Sequence, residues 1–350
     1  MSAAIAAPVA AYRARLRRQS LLVACMAAAM ATAFAWDLAT GPGALAPADI
    51  LATLLRAEDQ PMRLRVIVWE IRLPVATMAL LVGAMLGLAG AQMQTILANP
   101  LADPFTLGIS SAASVGAAAA IVLGWGLLPG LAGTAAVTGN AFAFALAAAA
   151  AVHLLTRLRG VNAETMILFG IALMFSFNAL LGLLQYRASE VQLQQIVFWM
   201  MGSLGRSNWA RIGIAAAVLA VAAPLLWRHR WALSAIRLGE ERAQALGVDV
   251  GRVRLEVLAL VSLLAATAVS FVGVIGFVGL VGPHVARLLV GEEQRFFVPL
   301  SALGGAALLS AASIVSKTLV PGTIFPLGIV TALVGVPVFL SLVLSRRGVG

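Results

Sequence analysis

Charge is scarce in this 350-residue chain: 11% of its residues are Asp, Glu, Lys or Arg, while 61% are hydrophobic. A soluble globular protein carries about 25% charged residues. No soluble core could hide so much apolar surface, so lipid is the solvent for most of the chain, and a soluble enzyme or a disordered protein is excluded. Cysteine occurs once, at Cys25 inside the first apolar run, which rules out an internal disulfide, and no Cys/His spacing points to a metal. Aromatics are held to 7%. Ala and Gly fill much of the remainder, and small residues let helix backbones approach closely in lipid. Lysine also occurs once, at Lys317, and the other 23 basic residues are Arg. The net charge of +10 lies between apolar runs rather than along one helical stripe, so it reads as membrane topology and not as a nucleic-acid surface.

What is present is a series of apolar runs near 20–36, 74–97, 106–128, 134–155, 164–185, 211–227, 255–273, 275–290, 297–316 and 323–345. A spanning helix needs about 20 apolar residues. The runs therefore predict an all-α, polytopic membrane protein with about ten transmembrane helices in one permease domain over 1–350. The stretch from Leu255 to Val290 is too long for one crossing, and Gly273, Gly276, Gly279, Gly282 and Pro283 favour a turn and a short return helix. Ten spans put both termini on one side. Placing the termini in the cytoplasm leaves sixteen of the 24 basic residues inside and eight outside, the expected bias. The first run is expected to be retained, with Ala33-Phe34-Ala35 as the cleavage pattern of the alternative, a signal peptide. A short helix is expected around Pro47 to Leu55 in the external loop 37–72.

Acids are missing from the middle of every run: all 14 lie in loops or about a turn from a span end. Ion-coupled transporters rely on ionisable groups at membrane depth, so an ATP-independent secondary transporter is the weaker reading. His153, His229 and His284 are scattered, with no HExxH, and no enzyme site is assembled by spacing. No P-loop exists either, since the lysine lies in Ser316-Lys317-Thr318 without the preceding Gly, so a chain driven by ATP needs a separate ATPase and a surface to meet it. The longest polar stretch on the terminal side, 228–254, offers one. Gly239 breaks the chain, Glu240 and Glu241 suit a first helical turn, Ala243 and Leu246 form a small apolar face, and Gly247 supplies the cap. An ordinary solvated linker is the competing reading.

Seven motifs then stand in order: IRLP at Ile71 to Pro74, LLVGAMLGLAGAQMQ at Leu80 to Gln94, NPLADPFTLGISSA at Asn99 to Ala112, FWMMGSL at Phe198 to Leu204, LGEERAQALG at Leu238 to Gly247, GFVGLVGPHVAR at Gly276 to Arg287, and PLGIVTALVGVPVF at Pro326 to Phe339. Together they resemble the FecCD-type permeases of bacterial ABC importers for ferric siderophores, haem and cobalamin. The resemblance implies a type II importer permease in the bacterial inner membrane, working as a homodimer with two ABC ATPase subunits and a periplasmic binding protein. It implies no cofactor on this chain, with ATP and Mg on the partner ATPase. By the same resemblance, Leu238, Gly239, Glu240, Ala243, Leu246 and Gly247 form the ATPase coupling segment, and Asn99 and Leu101, with Asn162, Ala163 and Glu164, form the cytoplasmic gate. Arg72 and Lys317 match positions that dock the binding protein. The pattern is thinner at Val75 and Ile324, where Arg and Glu are usual, and Arg63, Arg65 and Arg187 are alternative charges. An iron chelate, haem or ferric siderophore, is favoured over cobalamin because Tyr186, Arg187, Met200 and Met201 lie near the expected external mouth. His284 belongs to the GPHxAR motif, which argues for a structural role beside Pro283.

Overall fold

The computed structural model describes residues 2–41, 43, 45–127, 130, 132–155, 163–320 and 322–345. Apart from one isolated bridge between Val320 and Thr323, the described residues form helices and their connections. Among the described residues, seven helices are long and apolar enough to cross a membrane, and the apolar helices Ile109–Leu123, Val278–Val290 and Leu327–Val338 are shorter.

Helix α1 runs over Ser2–Ala39 and is followed by a short α2, Pro47–Leu55, which starts on its proline. Helix α3, Met62–Arg65, widens into π-helical turns over Val66–Arg72 and continues as α4, Leu73–Ile96. The widening has a local cause. Pro74 has no N–H to give to the carbonyl four residues back, and just before it the Leu73 N–H reaches Val68, five residues back.

Helix α4 is the centre of the molecule and is almost wholly buried. It owes that position to small residues. A Cβ at Gly90 would stand 1.9 Å from the Gly279 carbonyl oxygen, and one at Gly305 2.2 Å from that of Gly83. Backbone-to-backbone contact of this kind replaces the hydrophobic drive that lipid removes.

Around α4 pack α5 (Ile109–Leu123), α6 (Gly133–Leu155), α7 (Ala163–Arg187), α8 (Glu190–Met200) and α9 (Trp209–Arg228), either directly or through one another. Short α10 (Arg230–Ile236) and α11 (Glu240–Ala245) come next, then α12 (Val250–Val272), α13 (Val278–Val290), α14 (Gln294–Thr318) and α15 (Leu327–Ser345). Helices α12, α13 and α14 clasp α4 directly.

Three helices are shorter than their apolar runs, α5, α15 and α13. The run from 106 loses its start because the Asp103 carboxylate accepts from the Phe105 N–H at 2.8 Å and caps a 3-10 turn over Pro104–Leu107, and Gly124 at φ +64° ends α5. The run from 323 begins extended: Ser316 Oγ donates to the Phe325 carbonyl at 2.5 Å, and the Phe325 N–H returns a bond to the Ser316 carbonyl at 3.0 Å.

Between α12 and α13 the chain breaks at Gly273, φ +81°, and re-enters helix after Phe277. The freed backbone is satisfied nearby. Ser203 N donates to Val272 O at 2.7 Å, and the same α8–α9 connection is tied to the start of α15, where Leu327 N and Gly328 N donate to Gly202 O and Met201 O at 3.1 and 2.9 Å. Non-helical backbone buried in protein is tolerated on these terms.

Candidate functional site

Helix α11 has six residues and would not survive alone. Gly239 at φ +108° opens it, Gly247 at φ +82° closes it, and Ala243 at 0% exposure seats it in the main core beside Leu233 and Val248. An ion pair adds a brace, with Arg254 of α12 donating to the Glu240 carboxylate at 2.5 Å. Leu246 departs from the expected apolar face. The helix ends at Ala245, so Leu246 turns outward and is 55% exposed, close to the 57% of Leu238. A small helix gripped from inside therefore presents two leucines outward.

One residue before Leu238, a polar chain runs back into the bundle. Arg237 pairs with the Glu292 carboxylate and donates through Nη1 to the Glu292 carbonyl at 2.9 Å. Glu292 also accepts from Arg287 Nε at 2.7 Å, and Arg287 Nη2 donates to Gln94 Oε1 at 2.6 Å. Gln94 Nε2 completes the series on the Gly279 carbonyl at 3.3 Å. The connected groups lie on α10's end, the α13–α14 turn, α13 and the last turn of α4.

Just beyond that turn is Asn99, whose side-chain oxygen accepts from the Leu101 N–H at 3.0 Å and holds the Asn99-Pro100-Leu101 bend. Ala98, at φ +46°, starts it. The backbone of Leu107, beyond this bend, meets α7 at Gly170, where a Cβ would stand 2.8 Å from Leu107 Cα. Glu164 is exposed in the first turn of α7, and Ala163 begins that helix. Asn162 lies outside the described residues.

Arg72 and Lys317 differ most from expectation, because both are turned inward. Arg72 is 3% exposed, and its guanidinium donates to the carbonyls of Ala39 and Gly43 at 2.8 and 2.6 Å and of Leu38 and Gly41 at 3.3 and 3.2 Å. It caps the C-terminus of α1, where a cation meets both orphan carbonyls and the negative end of the helix dipole. Lys317 Nζ donates to the Asp37 carboxylate at 2.7 Å, and Asp37 is fully buried. These two charges fasten α1 to the bundle. Removing the carboxylate strands a buried ammonium, a change that costs about 3–5 kcal/mol. Asp37→Asn is expected to lower the thermal midpoint by several degrees, and adding Lys317→Met is expected to recover most of it. An unchanged midpoint in the single variant contradicts the pair.

Tyr186 and Arg187 end α7 and are both exposed, Tyr186 at 89%. Neither lines a cavity that lies one helix further on. It has a volume of about 530 Å³ and is walled by α5, α6, α8, the α8–α9 connection and residues 324–326. Because α9 leads from that connection to α10, the cavity opens at the end of the bundle opposite the α11 segment. Two arginines line it that sequence reading overlooked, Arg206 and Arg211. A signal existed: SLGRSNWAR carries both, in a stretch without acids from Val191 to Gly239.

This geometry has counterparts. Over 281 residues the chain is 39% identical to the hemin transport system permease protein HmuU of Yersinia pestis, covering 80% of this chain and 84% of that one. It is 34% identical over 331 residues to the vitamin B12 import system permease protein BtuC of Escherichia coli O9:H4, covering 92% and 94%. A solved inward-facing conformation of a metal-chelate type ABC transporter superposes with a TM-score of 0.81 at 29% identity, over 93% of this chain and 99% of that chain. The FecCD transport family matches residues 15–345, and the chain, a multi-pass permease of the ABC importer class, belongs to that family.

Proposed function

We propose that this chain forms, as a homodimer, the membrane pathway of a binding-protein-dependent importer that moves an iron chelate, haem or ferric siderophore, from periplasm to cytoplasm. Two separate ABC ATPases drive it from the side of the α11 segment, and both termini lie in the cytoplasm of an inner membrane. One observation carries the reading: a chain whose sequence has no P-loop holds a braced six-residue helix outside its spanning helices, with Leu238 and Leu246 offered to a partner. Its movement on ATP-driven closure would be relayed by the Arg237–Glu292–Arg287–Gln94 series to the bend at Asn99 and Leu101. Those two residues, with the loop Asn162 to Glu164, are proposed as the cytoplasmic gate. The hemin permease among the relatives supports the cargo class, and the vitamin B12 permease makes cobalamin the alternative.

The cargo is tested by competition. With its cognate ATPase and binding protein in proteoliposomes, the chain is expected to import iron-55 in a chelate that excess unlabelled haem or ferric siderophore displaces and cobalamin does not. Import of labelled cobalamin, with no uptake of either iron chelate, contradicts the assignment.

A further inference from the structure

The cavity opposite the α11 segment has an unbalanced wall. Arg206 lies in the connection before α9, with its guanidinium 5.9 Å from the centre of the Trp199 ring and its Nη2 buried with no hydrogen-bond partner. Arg211 sits in the first turn of α9, giving Nη1 to the Arg206 carbonyl at 2.8 Å and Nη2 to Thr138 Oγ1 at 3.1 Å. Neither forms an ion pair with a carboxylate among the described residues, and none of the described residues lining the cavity is acidic. Burial first, and then the charge of Arg211, pull Arg206 down to about 10, so it remains a cation at neutral pH. Two like charges in one partly desolvated cavity are unfavourable unless an anion completes the site.

The rest of the lining says what kind of anion. Val137, Val191 and Phe198 give it apolar walls, and Gln194 adds a neutral polar group. A large apolar wall with a few convergent polar groups fits a small amphipathic ligand. The fork of a guanidinium matches a carboxylate or phosphate oxygen pair, and that match is strongest where water is excluded.

We propose that Arg206 and Arg211 form an anion site in this cavity that holds a carboxylate of the cargo chelate, so that the cavity admits carboxylate-bearing chelates ahead of their neutral forms. Arg206 is the contacting group. Arg211, tied to the Arg206 carbonyl and to Thr138, also positions it. The occupant's identity as cargo rests on the importer reading, whereas the anion site itself does not.

The test titrates the whole chain, in nanodiscs of phosphatidylcholine, with iron protoporphyrin and with its dimethyl ester, in which both carboxylates are masked. The acid form is expected to bind about tenfold more tightly than the ester, the scale of one charge-assisted hydrogen bond. Arg206→Gln is expected to erase that preference, and Arg206→Lys, which keeps the charge, to retain most of it. Equal binding of the two forms by the native chain, or a preference that survives Arg206→Gln, overturns the proposal. A second series with phosphatidylglycerol in the discs separates a cargo carboxylate from a lipid phosphate. Unchanged affinity for the acid form supports cargo. A loss that disappears in Arg206→Gln places a headgroup in the site and overturns the cargo assignment. Binding is read here without ATP or ATPase, so this site and the importer reading fail independently.

Discussion

Replacing Leu238 and Leu246 together by Asp is expected to abolish retention of the ATPase on the purified permease. Both side chains face outward from the ends of α11, and neither contributes to the core that holds the segment. That work is done by Ala243, by the Arg254–Glu240 pair and by the two positive-φ glycines. The substitution therefore removes contact area without unseating the helix. Buried apolar anchors at the centre of a protein interface commonly carry about 2 kcal/mol each, roughly 30-fold in affinity apiece. An aspartate in their place must also be desolvated or left facing apolar surface. Affinity purification through a tag on the permease reads the outcome directly. Normal insertion and elution with no ATPase is expected, and undiminished co-purification means the docking surface lies elsewhere.

Glu292→Gln is expected to have a different signature: an intact complex that hydrolyses ATP and moves little cargo. Its carboxylate is shared by Arg237 and Arg287, and it joins the end of the α11 segment to the groups that reach the last turn of α4. An amide can accept from one arginine, but it brings no charge to offset two. The arginines then repel, and the link from segment to bundle is cut at its middle. Loss of a charge-assisted hydrogen bond costs about 1.5–3 kcal/mol, enough to reduce coupled transport by tenfold or more. Uptake and ATP hydrolysis are measured on the same proteoliposomes. Falling uptake with preserved hydrolysis is the expected pair of results. If both stay near the native values, the series is structural support and not a transmission route.

The main elements follow from features visible in the chain itself. Apolar runs of about membrane length, punctuated by Pro and Gly, mark the spanning helices, because lipid leaves the backbone no choice but to satisfy itself. Gly239 and Gly247 bracket α11 because each adopts a positive φ that a side chain resists. Charge is the harder signal to read. Arg72 and Lys317 stand at run ends, and their partners are the carbonyls at and just beyond the end of α1 and the carboxylate of Asp37, 280 residues from Lys317 in the chain. Nothing local announces a pairing at that separation. Leu246 was misjudged for a smaller reason, since the helix stops one residue before it. Arg206 and Arg211 were missed because their meaning depends on what is absent around them. Only the folded cavity shows that Val137, Val191 and Phe198, rather than acids, come to face two cations.

Transport powered from outside the chain is the central proposal. The most direct measurement is uptake of an iron-55 chelate, delivered by its binding protein, into proteoliposomes holding either the permease alone or the permease with its ATPase. Accumulation that requires both the ATPase and ATP, and that an imposed proton or sodium gradient cannot replace, is the expected result. Accumulation by the permease alone on an ion gradient would contradict it.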